Sequence, residues 1–143
     1  MAKNAQGQAA TAATAPAAEV HVRAGWTLLA LGLAFGVTLE ALEAFRVSWV
    51  VADAWRNRLW SLAHFHADAM GLLNLVYRPY ARGAAESRAL AAGSALIPVG
   101  FVLGGLAHSE GDPGLGILLV PVGATLVISV AVRQAIRAWR KNA

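Results

Sequence analysis

The sequence predicts an all-α fold: a bundle of four transmembrane helices with both termini on the cytoplasmic side. Three observations predict it. Hydrophobic residues make up 57% of the 143-residue chain and charged residues only 14%, against about 25% charged in a soluble domain. The apolar residues gather in four runs long enough, at about 1.5 Å per residue, to match a hydrocarbon core of about 30 Å. The 12 Lys and Arg residues are shared unequally between the two ends of those runs, as the positive-inside rule expects of membrane-orienting charges.

Along the chain, residues 1–22 are rich in Ala, Gln, Thr and Gly. They carry too little apolar bulk to pack and read as a disordered tail. Lys3 is followed by no continuous apolar core, so the stretch does not read as a signal peptide. The membrane domain is expected over residues 23–136 and a basic C-terminal tail over 137–143. The first span covers residues 25–45, with Trp26 at its start. The second covers 59–77, flanked by Trp55, Trp60, Tyr77 and Tyr80. The third covers 89–107 and the fourth 114–132. Pro98 and Pro121 fall mid-span, where neighbouring helices satisfy the freed carbonyls. The pairs Gly32/Gly36 and Gly100/Gly104 let helices approach closely and are read as packing. The five tryptophans, Trp26, Trp49, Trp55, Trp60 and Trp139, fall at predicted boundaries as interfacial anchors.

Four spans put both termini on one side. That side holds Lys3, Arg23, Arg78, Arg82, Arg88, Arg133, Arg137, Arg140 and Lys141; the other holds Arg46, Arg56 and Arg58. Nine against three orients the termini to the cytoplasm of a bacterial inner membrane. The last outer loop, 108–113, carries Glu110 and Asp112 and no basic residue besides His108. The net charge of +4 and pI near 10.4 do not indicate nucleic acid, since the basic residues flank apolar runs and form no separate patch. The expected partners are the lipid bilayer and a membrane protein or a second copy. Cysteine is absent, which removes disulfides, thiolate metal sites and cysteine nucleophiles.

The segment Leu-Trp-Ser-Leu-Ala-His-Phe-His-Ala-Asp, residues 59–68, places ionisable groups inside a span. Each costs at least a few kcal/mol there and should face the bundle interior with a partner. Three helices of alternating direction bring polar residues to one outer level: Glu40 and Glu43 from the first span, His64 and His66 from the second, His108 from the third. His64 and Asp68, four apart, share a helix face, as do Glu40 and Glu43; Arg46 is placed to pair with Glu43, and His66 points elsewhere. Imidazoles with carboxylates ligate transition metals, so Glu40, Glu43, His64, Asp68 and His108 are the candidate metal ligands, and His64 with His108 the candidate pair on a haem. The competing reading is a hydrogen-bonded cluster that sets helix register in a structural or assembly subunit, with no ligand. A proton or ion pathway is disfavoured because, beyond Asn74, the second span offers only Arg78; His21 is assigned to the tail. No nucleophile motif or phosphate loop supports an enzyme, which ranks last.

The order Leu-Glu-Ala-Leu-Glu-Ala-Phe-Arg (residues 39–46), a tryptophan-rich loop, Leu-Trp-Ser-Leu-Ala-His-Phe-His (59–66) and Leu-Leu-Val-Pro-Val-Gly-Ala (118–124) resembles a group of small bacterial four-helix membrane proteins. Those carry a Leu-Ala-His-Ala-His-Gly segment, where this chain has Phe65 and Ala67. The resemblance covers most of residues 25–135. It implies the fold and the membrane location, and no activity.

Overall fold

The computed structural model describes the backbone of residues 2–109 and 112–141 and the side chains of 16–109 and 112–140. Glu110, counted in the outer loop, lies outside the described residues, as do the side chains of Lys3 and Lys141. The described chain is helical: α1 (Ala2–Ala44), the single-turn α2 (Ser48–Val51), α3 (Ala54–Tyr77), α4 (Ala84–Leu106) and α5 (Leu119–Lys141), with 3₁₀ turns at Arg78–Tyr80 and Leu115–Leu118. Three stretches are long and apolar enough to cross a membrane: Pro16–Ala44, Ala84–Leu106 and Leu115–Arg140. The helix α3 corresponds to the expected second span. Its 24 residues reach about 36 Å, but Arg56, Arg58 and Asp68 keep it less apolar than the other three.

The helix ends follow from local chemistry. At the end of α1, the Val47 amide bonds to the Leu42 carbonyl and the Arg46 amide to the Glu43 carbonyl, both at 2.9 Å. This is the paired bonding of a Schellman stop, and it needs a left-handed residue, normally glycine. Here Arg46 takes that role, at φ 51°. Arg46 therefore terminates a helix, and the expected Glu43–Arg46 side-chain ion pair is not formed among the described residues. The helix α3 starts at Ala54 because Asp53 caps it, its Oδ1 accepting the Arg56 amide at 2.9 Å. The start of α3 is thus five residues earlier than the apolar pattern suggests, a shift that sets the depth of every side chain on it.

The expected tail also joins the bundle. Ala17 and His21 are buried within α1, 2% and 0% exposed, so residues 17–22 belong to the packed domain. Buried positions on α1 recur at 17, 21, 25, 28, 32, 36 and 39, one stripe at helical spacing. The stripe lies on α3 with almost no side-chain depth between the backbones. A Cβ added at Gly25 would meet Leu75 Cγ at 2.6 Å, and one added at Gly71 would meet the Gly25 carbonyl at 2.9 Å. Gly32 and Gly36 face Asp68 and His64 in the same way, and Gly100 and Gly104 face Val120 and Ile117, so both glycine pairs are packing features. The helix α4 lies against α3 and α1 on one side and α5 on the other. Among the described helices, the backbone of α5 runs beside α4 alone, which makes the arrangement a three-helix core with an attached fourth helix. Trp60 is 5% exposed and donates its Nε1–H to the Val102 carbonyl at 3.2 Å. It is a core residue; the other four tryptophans are exposed.

Candidate functional site

The expected five-residue cluster separates into two levels, and a third polar level holds none of the five. Because α3 begins at Ala54, His64 lies ten residues along it and Asp68 fourteen, about 15 and 21 Å from its outer end. Both therefore sit near mid-helix. His108, just past the end of α4, sits at the outer end instead, where its Nε2–H donates to Asp53 Oδ2 at 2.6 Å. Glu40 and Glu43 are exposed; Glu43 borders a shallow surface depression with Val51, Ala54, Asn57, Arg58 and Ser61. Among the described residues, no three His, Asp or Glu side chains gather as metal ligands. Within one chain, His64 and His108 are therefore not a facing haem pair, since eleven helical residues of rise, about 16 Å, separate His64 from the partner of His108.

At the outer end, Asp53 organises a latch. Its carboxylate caps α3, accepts from His108 and meets the Arg56 guanidinium at 3.2 Å. Arg56 in turn donates to the Trp49 carbonyl at 2.8 Å and the Gly105 carbonyl at 3.3 Å, and lies 4.6 Å from the Trp49 ring centre. The Arg56 amide above all holds the Asp53 carboxyl below the ordinary carboxylate range; burial opposes it, and the His108 and Arg56 contacts add to the lowering. Every polar group in the latch has a partner. It ties the two outer loops together.

At mid-helix, His64 rests on Gly36 and Asp68 on Gly32. Both side chains are half-buried, and one atom of each, His64 Nδ1 and Asp68 Oδ1, is buried without a hydrogen-bond partner. Asp68 belongs to an outward stripe of α3 formed by Ser61, Phe65, Asp68, Leu72 and Val76. Phe65, Leu72 and Val76 are 62%, 55% and 66% exposed. His66 is turned the other way. Its Nδ1–H donates to the Leu62 carbonyl at 2.7 Å and its ring packs on Phe101 of α4, with centres 4.9 Å apart.

The third level lies toward the termini, and sequence reasoning placed no site there. Asn74 is fully buried. Its amide donates to the Met70 carbonyl and Ser94 Oγ, each at 2.8 Å, and its oxygen accepts from His21 Nδ1 at 2.9 Å. That pattern puts a proton on His21 Nδ1 and leaves Nε2 buried without a partner. Tyr77 packs its ring edge on His21, with centres 4.9 Å apart, and Ser87 and Ser94 are fully buried on α4. Glu86 accepts two hydrogen bonds from Arg137 of α5, at 2.9 and 3.0 Å. Three helices thus meet at Asn74, and the fourth reaches in through Arg137.

No protein-family model matches the chain, and no curated protein or solved structure is significantly similar to it. The functional reading therefore rests on the geometry.

Proposed function

We propose that this chain is a four-span protein of a bacterial inner membrane, termini in the cytoplasm, that works as the structural unit of a homo-oligomer. The observation that carries this reading is the half-open Asp68, with His64 beside it, near the middle of α3 on a stripe whose exposed members Phe65, Leu72 and Val76 are apolar. An ionisable side chain at the centre of a transmembrane helix costs about 2.5–3.5 kcal/mol when lipid faces it. A second copy removes that cost. An acid and a base side by side are self-complementary across a two-fold axis, so His64 of one copy meets Asp68 of the other. The length of α3 and the nine-to-three distribution of Lys and Arg support α3 as the fourth span.

The chain has no cysteine, so Leu72→Cys and Phe65→Cys give a clean crosslinking test in native membranes. Oxidation is expected to give a product of doubled mass from both, and none from Leu33→Cys on the far side of α1. Single-mass protein from both α3 variants would rule the contact out. His64 and Asp68 also form a two-ligand face, and a first-row metal takes about four ligands. A transition metal or haem would then draw His64 from both copies, with Asp68 as a further ligand to a metal. Metal content and visible absorption of purified protein decide it: a stoichiometric signal lost in His64→Ala supports that reading, and no signal removes it.

A further inference from the structure

Toward the termini α1 and α4 meet, and there Ala17 and Leu90 share one buried cluster. Further out a groove of about 350 Å³ lies between them. Its floor is the small pair Ala63 and Ala67 of α3, 1% and 6% exposed. Phe35 closes its outer end, resting on Trp60 with ring centres 5.8 Å apart. Leu31 of α1 and Val99 and Leu103 of α4 form its rim. Every residue that lines it is apolar.

The groove cannot close by collapse. On one side the glycine seam fixes α1 to α3: a Cβ added at Gly25 would meet the Gly71 carbonyl at 3.0 Å, and one at Gly71 the Gly25 carbonyl at 2.9 Å. On the other, α4 is fixed to α3 by the Asn74–Ser94 bond at 2.8 Å and the Trp60–Val102 bond at 3.2 Å. A gap held open in this way forfeits the dispersion contacts of its lining unless something fills it. Its depth says what is at hand. Ala63 and Ala67 lie nine and thirteen residues along α3, about 14 and 20 Å from its outer end, inside a hydrocarbon core of about 30 Å.

Size and polarity narrow the occupant. Ten residues line the groove, whereas a stable protein interface takes about 20–30 from each side, so a second copy is too large a guest. A headgroup or a ring carbonyl would find no hydrogen-bond partner there and would be left unsatisfied. The wall from Leu28 to Phe35 rises about 10.5 Å, most of the roughly 15 Å that one leaflet contributes to the core. We propose that the groove seats one acyl chain of a membrane phospholipid, held by the protein apart from the exchanging lipid around it. Transfer from lipid supplies no drive, since the tails are as apolar as the lining; filling the gap does. At about 100° per residue, Ala63 and Ala67 point to the opposite side of α3 from Phe65, Leu72 and Val76. The lipid seat therefore shares the four-span reading with the proposed function and is independent of the oligomer.

The test uses the purified full chain in phosphatidylethanolamine–phosphatidylglycerol vesicles, with a trace of phosphatidylglycerol carrying a diazirine midway along one acyl chain. After illumination, peptide mass spectrometry maps the adducts. Leu31, Val99 and Leu103 are expected to carry at least several-fold more label than Leu33, Val122 and Ile128. The references are 59%, 54% and 60% exposed, whereas Val99 and Leu103 are 45% and 41% exposed, so contact with bulk lipid predicts the reverse order at those two. Ala63→Leu fills the floor and Val99→Trp covers the rim. Each is expected to bring label at Leu31 and Leu103 down to the reference level and to leave the references unchanged, with helical content by circular dichroism as wild type. Val99 is exposed, so that variant decides the matter if Ala63→Leu does not fold. Wild-type label that follows exposure, or a folded Val99→Trp still enriched at Leu31 and Leu103, overturns the proposal. So does a product of doubled mass on oxidising Leu31→Cys or Val99→Cys, which would put a second copy in the groove.

Discussion

Replacing Asn74 with Ala tests the inner node most directly. The side chain makes three hydrogen bonds, of which two, to His21 and Ser94, join α3 to α1 and α4. Interhelical bonds within membranes average about 0.6 kcal/mol and reach about 1.7, so the pair contributes about 1–3 kcal/mol. The truncation also strips His21 of its one partner at full burial, which places the expected loss toward the upper end, about 2–3 kcal/mol. Reversible unfolding in mixed micelles of mild detergent and SDS, followed by fluorescence of the five tryptophans, measures it. A double-mutant cycle with His21→Leu isolates the contact, with about 1 kcal/mol of coupling expected. Asn74→Ala within about 0.5 kcal/mol of wild type, the range of an ordinary surface change, or a cycle that closes additively, would refute the node as a structural centre.

Other substitutions probe the remaining levels. Gly32→Val drives a side chain into Asp68 and Ala67 and is expected to cost at least 1–3 kcal/mol as overpacking, whereas Gly83→Ala, with nothing within 4 Å of the added atom, leaves unfolding nearly unchanged. Arg46→Gly relieves a left-handed residue at the end of α1 and should raise stability by about 1 kcal/mol, read in the same micelle assay. Asp53→Ala should lower the unfolding midpoint by uncapping α3 and freeing His108. Asp53 has its carboxyl held down in the folded protein, so its contribution is present above the ordinary value near 3.8 and fades as pH falls through the lower folded value. A midpoint unchanged between wild type and Asp53→Ala at neutral pH would contradict the latch.

The helices themselves were legible because apolar runs of membrane length leave few alternatives. What the pattern could not supply was the start of α3. The apolar run begins near Leu59, but the helix begins where Asp53 can cap it, and those five residues move His64 and Asp68 about 7.5 Å deeper. That displacement supplies about half of the 16 Å or so between His64 and the partner of His108. Asp53 was readable as a cap, being an acid just before a helical run; its hold on His108 was not, since that contact joins loops 55 residues apart. His21 was missed for a different reason. Composition marks residues 1–22 as tail, yet Ala17, His21, Gly25, Leu28 and Gly32 repeat at intervals of three and four. Small residues carry little hydropathy, so the period survived in sequence where the apolar signal had faded. Trp60 shows the limit of the boundary rule: one turn inward from Trp55, it meets Phe35 and Trp49 rather than headgroups.

The attachment of α5 to α4 alone has a consequence for biosynthesis. The chain leaves the ribosome in the order in which the contacts close. Once α4 has entered the bilayer, α1, α3 and α4 possess all of their mutual surfaces, and nothing made later is needed to complete them. The last helix then docks onto a finished template, guided along a groove lined by Gly93 and Gly100 and secured when Arg137 reaches Glu86. A chain truncated after Leu106 should therefore retain the glycine seam and the Asn74 junction, and lose the core packing that Val127 and Val130 of α5 share with Tyr77 and Leu90.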